Sequence, residues 1–565
     1  MKKIILVVMA FALLALPGRS AIDPHKVKPV KNIILMITDG TSLSTVSLAR
    51  WLQFYQDPSK PNLNIDPYLC GTVRTNCSDA PIGDSAPTTS CYMTGHASRS
   101  GYICTYPPDK GKDNIDPVDA TKTYGPMATL LEAAKQLQGK SSGLVVTCQF
   151  PHATPADCSA HYYDRDAYDI LAEQQVHNSL DVVIGGGNDY LTKENEDFLK
   201  KHGYTVLHND IAGMRSCKND KMWALYAKSD MAYEIDRDTT KEPSLAEDTK
   251  IAIDKLSKNK KGFFLMVEGS KVDWAAHAND PAAIGPEFLA FDKACRVALD
   301  FAKKDGNTAV IILPDHGNSG LSIGCARCSD YSHRTKDELF GPIVKFKLSV
   351  DALGHKLNTE PYENLKSIFS QYEGINLSQE EVDLITHAKG YEKSPIPQDQ
   401  RKELTDKPLY SPSFSGLLSK ILTNHTYLGW TTGGHTGEEV FLACYNPNGI
   451  IPLGMNTNVE LSHYMQALFG MYGKMDQFTD KIFTHHDIAF KGYDYKIEKP
   501  SEKGQYPKLI VKNKANGKIM TIEAFTNIAT LSGTENKVIE IPSVMPYVDR
   551  TGKFYVPSDM AQYLK

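Results

Sequence analysis

Several stretches of this 565-residue chain place groups that can hold a cation beside short apolar runs. Ile33 to Ile37 leads into Thr38-Asp39-Gly40, and Phe263 to Val267 leads into Glu268-Gly269, with Asp273 and His277 close behind. Val310 to Leu313 leads through Pro314 into Asp315-His316, and a Gly-Gly turn presents His435 just before the run at Val440. Carboxylates and imidazoles are the side chains that bind zinc and harder divalent ions. Taken singly each is weak. Asp39-Gly40 reads as a turn dipeptide, and Asp273 and His277, four apart, are equally an ordinary helix-surface pair. Their common placement beside apolar runs makes them a constellation.

A different chemistry is offered by Gly83-Asp84-Ser85-Ala86-Pro87-Thr88-Thr89-Ser90. These small and hydroxyl residues open a helix of about three turns. A hydroxyl there is often only a cap. The positive end of a helix also favours an alkoxide and an anionic substrate, which suits Ser85 as a nucleophile. Arg165, in Ala160-His161-Tyr162-Tyr163-Asp164-Arg165, carries no signal unaided.

The elements that must position these groups are strands buried on both faces. The runs named above, with Leu144 to Val146, Val182 to Ile184 and Val440 to Ala443, are continuously apolar rather than alternating, as strands of a parallel sheet are. Helical patterns at Met127 to Gln138 and Ala246 to Leu256 sit between them. The spacing predicts an α/β fold, with a central mostly parallel sheet flanked by helices on both faces. In such a sheet the ligand crevice lies beyond the carboxyl ends of the strands, where these side chains would converge.

The pattern lapses over about 329–432, a polar stretch with helix-like segments near 378–388 and 413–423, read as a long insertion between core strands. From 475 to 565, short alternating runs such as Lys537-Val538-Ile539-Glu540-Ile541 suggest a small β-rich appendage. The catalytic unit would span 21–474. Residues 1–20 have the layout of a secretory signal peptide: Lys2 and Lys3, an apolar run from Ile4 to Leu16, then Pro17-Gly18. The chain is expected to be exported, to the periplasm or outside the cell, with no membrane span. Some of its eleven cysteines would then pair, and Cys325-Ala-Arg-Cys328 is either a local disulfide or two plain thiols. Sixty-two basic against 67 acidic residues leave a net charge of −5, which gives no footprint for nucleic acid.

The blocks Thr38-Asp39-Gly40, Asp84-Ser85-Ala86, His152-Ala153-Thr154-Pro155, Val267-Glu268-Gly269-Ser270 through Asp273 to His277, Pro314-Asp315-His316 and Gly434-His435-Thr436-Gly437-Glu438 occur in one order. Together they resemble the alkaline phosphatase family over roughly residues 30 to 470. The resemblance implies a metal-dependent phosphomonoesterase acting on small phosphate monoesters, with a homodimer as a compatible assembly. It gives one Zn²⁺ to Asp273, His277 and His435, and a second to Asp39, Asp315 and His316 with Ser85. It gives a Mg²⁺ to Asp39, Thr154 and Glu268, and gives Arg165 the grip on phosphate. Two positions depart from many bacterial members, which carry Asp and Lys where this chain has His152 and Trp274. His152 is expected behind the third metal rather than on it, and both departures could turn that site toward Zn²⁺ or Co²⁺. Related phosphodiesterases and sulfatases, or an exported binding protein without turnover, are the competing readings. The serine argues against the last.

Overall fold

The computed structural model describes residues 22–328, 330–388, 405, 407–500, 504–533 and 536–565. The export segment expected over 1–20 lies outside them, as do residues 329, 389–404 and 406 of the expected insertion. Ten strands build the main sheet: β1 (Asn32–Thr38), β2 (Leu69–Arg74), β3 (Ser141–Gln149), β4 (Val182–Gly186), β5 (Thr205–His208), β6 (Met222–Leu225), β7 (Phe263–Gly269), β8 (Thr308–Leu313), β9 (Val440–Tyr445) and β10 (Gly454–Thr457). Their order across the sheet is β10-β2-β9-β8-β1-β7-β3-β4-β6-β5. Only β9 runs antiparallel to its neighbours; every other pairing is parallel.

The central strand shows why its residues are continuously apolar. Ile34 and Met36 of β1 belong to the core on one face of the sheet. Ile33, Leu35 and Ile37 belong to the core on the other. The first face is covered by α1 (Leu43–Gln56), α4 (Leu245–Leu256) and α6 (Ile284–Asp305). The second is covered by α2 (Ser85–Thr94), α3 (Leu130–Gln138) and α7 (Asn458–Leu468). α3 starts three residues later than its apolar pattern because Thr129 caps it, its side chain and Glu132 exchanging bonds with each other's backbone.

The described part of the stretch 330–427 is mostly helical, and the apolar side chains of Phe340, Val350, Leu353 and Leu418 join the core of the first face. It is tied down beside α5 (Lys271–His277) by Val350 N donating to Asp280 (2.7 Å) and Ser419 Oγ donating to the Asn279 carbonyl (2.6 Å). Two short antiparallel pairings bring the chain back, Ser322–Ile323 with Leu428–Gly429 and Gly317–Asn318 with His435–Thr436. That return sets His435 beside His316.

The helix Met475–Ile482 still packs in the core of the second face. Beyond it lies a five-stranded antiparallel meander running from Asp494 to Glu540 in chain order, with its own core of Leu509, Val511, Met520, Ile522 and Phe554. All eleven cysteines are free thiols, so the pairing expected in an oxidising compartment is not found. Cys325 and Cys328 are the two plain thiols. Most of the others are buried and behave as small hydrophobes.

Candidate active site and metal centre

The register of the sheet brings three strand ends to one level. Ile37 pairs with both Glu268 and Leu313, so Asp39, Glu268 and Asp315 leave adjacent strands β1, β7 and β8 within a residue or two of one another. The chain then turns differently after each strand. After β7 it enters α5, where the four-residue spacing sets Asp273 and His277 on one face. After β1 it turns at Gly40, whose φ is +54°. A Cβ there would lie 1.9 Å from Asp273 Oδ1, so only glycine lets that carboxylate approach.

Three histidines are held alike. His277 Nδ1 lies 2.8 Å from the Gly433 carbonyl, His435 Nδ1 2.9 Å from that of Gly83, and His316 Nδ1 3.1 Å from that of Gly317. A carbonyl only accepts, so in each ring the proton sits on Nδ1 and the Nε2 lone pair points inward. His277 Nε2 and His435 Nε2 face each other at 3.1 Å, and His277 Nε2 lies 3.3 Å from Asp273 Oδ2. His316 Nε2 lies 3.4 Å from Asp39 Oδ1 and 3.6 Å from Asp315 Oδ2. Lone pairs aimed at lone pairs repel unless a cation stands among them. Carbonyl-pinned imidazoles are also how proteins orient metal ligands.

The carboxylates point the same way. Asp39 Oδ2, Asp315 Oδ2, Glu268 Oε1 and Thr154 Oγ1 are buried without a partner. Burial, with the charges of Asp315, Asp273 and Glu268, raises Asp39 well above the ordinary carboxyl range. Burial and Asp315 push Glu268 up to about 8. Asp273 is buried too, yet without a cation a second proton on His277, at Nε2, would donate to it and, with the charge of His316, hold it low. That carboxylate in turn raises His277 to about 9, so a metal ion and a proton compete for the Nε2 lone pair. So many acids in one dry volume ionise together only if a cation neutralises them.

Ser85 is the first residue of α2 and is buried. Its Oγ lies 3.4 Å from Asp39 Oδ1 and 3.3 Å from His316 Nε2. Asp84, which precedes it, makes no side-chain cap. Its carboxylate instead pairs with Arg165 Nη1 and accepts from Gly101 N at 3.0 Å. Arg165 Nη2 lies 3.2 Å from His152 Nε2. Arginine only donates, so His152 carries its own proton on Nδ1, which is buried without a partner.

Every residue singled out from the sequence lies in this one region. Thr154, on the short helix Ala153–Ala156 that packs against β7, joins it from the end of β3. His152 and Trp274, the two departures, touch each other, their rings edge to face at 5.8 Å. Some neighbours gave no sequence signal. Cys148 on β3 groups with His152 and Glu268, its Sγ 3.6 Å from Glu268 Oε2, and Asn318 donates to Asp273 Oδ1 at 2.6 Å. A lone cysteine inside a buried strand reads as core, and only the partner strand shows what it faces.

The family model described as alkaline phosphatase matches residues 30–471. The chain belongs to the alkaline phosphatase family. Alkaline phosphatase 4 of Bacillus subtilis is 32% identical over 431 residues, which cover 74% of this chain and 84% of that protein. Alkaline phosphatase 3 of the same organism is 32% identical over 450 residues, 77% of this chain and 87% of that one. Among solved structures, the cold-active alkaline phosphatase of a psychrophilic Shewanella superposes with a TM-score of 0.65 at 26% identity, covering 78% of this chain and 99% of that one. Membership makes this chain a phosphoric monoester hydrolase with the α/β sheet described above. Members of that family are metal-dependent, and the cluster of carboxylates and imidazoles is able to hold metal ions.

Proposed function

We propose that this alkaline phosphatase works through a phosphoserine intermediate at a site for two Zn²⁺ and one Mg²⁺, and that the chain is exported. The observation that carries the reading is the set of buried, partnerless carboxylate oxygens and inward-facing Nε2 lone pairs around Ser85 Oγ. Asp273, His277 and His435 would hold one zinc, and Asp39, Asp315 and His316 the other. Imidazole and carboxylate suit zinc. Asp39, Thr154 and Glu268 would hold the third ion, where oxygen donors suit magnesium. Bound there, the ions would neutralise the buried acids and polarise the oxygens of phosphate and hydroxyl.

The rest of the chemistry belongs to the chain. Ser85 Oγ attacks phosphorus as its proton passes to solvent, the ester P–O bond breaks, and the alkoxide leaves, taking a proton from solvent to become the alcohol. Water then attacks the phosphoserine, and the Ser85 hydroxyl is restored as inorganic phosphate departs. The serine sits at the positive end of α2, which favours both the alkoxide and the phosphate dianion. Arg165 would offer its planar fork to the non-transferred oxygens. Asp84 keeps that guanidinium from collapsing onto the acids of the site. His152, with its proton on Nδ1 and its Nε2 lone pair taken by Arg165, has no lone pair free for the ion and suits a place behind it rather than on it.

The test is Ser85→Ala assayed on an aryl phosphate, with acid quenching of the native enzyme to trap labelled phosphoserine. We expect turnover to fall about 10⁴-fold with fold and metal content intact. Near-native turnover in the variant, or faster cleavage of a phosphodiester or sulfate ester, would overturn the reading.

A further inference from the structure

The C-terminal β-rich unit lies beyond residue 471, where the match to the family ends. One of its turns nevertheless reaches the segment that carries Arg165. A hairpin pairs Tyr547–Val548 with residues 553–554 of the strand Lys553–Val556, and its side chains alternate between two faces. Tyr547, Phe554 and Val556 are buried in the core of the unit, whereas Val548 and Tyr555 are buried in the core of the large sheet. The hairpin is therefore anchored in both bodies, and its turn is presented from a rigid base.

That turn begins with Asp549 and Arg550. Asp549 Oδ1 accepts a 2.5 Å hydrogen bond from the Tyr163 hydroxyl. The Arg550 guanidinium lies 4.4 Å from the Tyr163 ring centre and donates to the Tyr124 hydroxyl at 3.1 Å. The opposite side of the segment is fixed through its backbone. Tyr162 exchanges two hydrogen bonds with Ile103, and Arg165 N donates to the Gly101 carbonyl at 2.9 Å. Gly101 N donates in turn to Asp84, the residue before Ser85. Contacts thus run without a break from the C-terminal turn to both ends of the phosphate site.

We propose that Asp549 and Arg550 are positioning residues for phosphate binding: the turn clamps Tyr163 and so holds the Arg165 guanidinium where a phosphate can meet it. The inference rests on the role given to Arg165 above. A guanidinium on an unclamped loop would have to be ordered at every encounter, which weakens binding without altering the chemistry.

The experiment measures KM for an aryl phosphate, Ki for inorganic phosphate and kcat on the full, metal-loaded protein. Asp549→Ala and the conservative Tyr163→Phe are each expected to raise KM and Ki about threefold to tenfold, with kcat within about twofold. The same changes made on top of Arg165→Ala should leave KM and Ki where Arg165→Ala alone puts them. Unchanged KM and Ki in both variants, with Arg165→Ala impaired, would overturn the clamp alone. A full effect persisting without Arg165 would overturn it too, since the turn would then act through general stability. An unimpaired Arg165→Ala would overturn the role of the arginine itself, and the clamp with it.

Discussion

Two sets of acids are buried along the elements that carry the site, and they are buried to different ends. Asp280 follows α5 by three residues, and both of its oxygens have donors. Oδ1 accepts from Ala282 N at 2.8 Å and Ala283 N at 3.1 Å, and Oδ2 from Val350 N at 2.7 Å. Asp292 on α6 is similar, accepting from the backbone of Asn64 at 3.0 Å and of Ile65 at 3.1 Å. Asp39, Glu268 and Asp315 are as deeply buried, yet each keeps an oxygen with no donor facing it. Burial does not separate a functional acid from a structural one. Nor does a single spare oxygen, since Asp248 Oδ1 and both oxygens of Glu373 are also buried without a partner. What marks Asp39, Glu268 and Asp315 is that their spare oxygens gather at the ends of three adjacent strands.

The contrast can be broken most directly at Asp39. Asp39→Asn keeps the volume and removes the charge, and kcat should fall about a thousandfold, with bound metal per chain reduced. Glu268→Gln should do less. It should lose one metal of three and about tenfold to a hundredfold in activity, with the other two ions still counted by elemental analysis. Cys148→Ser is smaller again. It leaves the proposed zinc ligands intact and replaces the soft sulfur beside Glu268, so competition between Mg²⁺ and Co²⁺ for the third site should move toward Mg²⁺. An unchanged preference would mean that the thiol only fills space.

How much of this was legible beforehand depends on what each strand faces. Six of the seven strands buried on both faces announced themselves as apolar runs, and the order of blocks identified the family. β2, β5, β6 and β10 were not anticipated. β2 reads Leu-Cys-Gly-Thr-Val-Arg and is largely half-exposed, β5 and β10 lie at the edges of the sheet, and β6 is only four residues long. Asp39, Glu268, Asp315 and His316 were legible because their chemistry is unusual directly after an apolar run, whereas Thr154 and Arg165 rested on the family resemblance alone. Asn318 and Cys148 were not legible, since an amide and a thiol are unremarkable until the partner across the sheet is known. The reach of the C-terminal turn was hidden for the same reason. Tyr163 and Asp549 are 386 positions apart, and no local pattern records that they meet.

The mildest effect falls on the other side of the comparison. Burial pushes the Asp280 carboxyl up to about 6 from an ordinary 3.8, against the pull of three backbone donors. Between those values the folded protein keeps a proton that the unfolded chain has released, so this group makes stability fall as pH rises from 3.8 to about 6. Asp280→Asn does not titrate and should lack that slope. Its amide would turn a donor toward backbone N–H groups that need an acceptor, at a cost of about 1–3 kcal/mol. The variant should therefore unfold at lower temperature throughout, with the gap from the native protein narrowing as pH rises through the window. Metal content and kcat, measured well below the melting point, should stay within about twofold of native, because both oxygens of Asp280 are spent on the fold. Loss of a metal from this variant would erase the distinction between the two sets of acids.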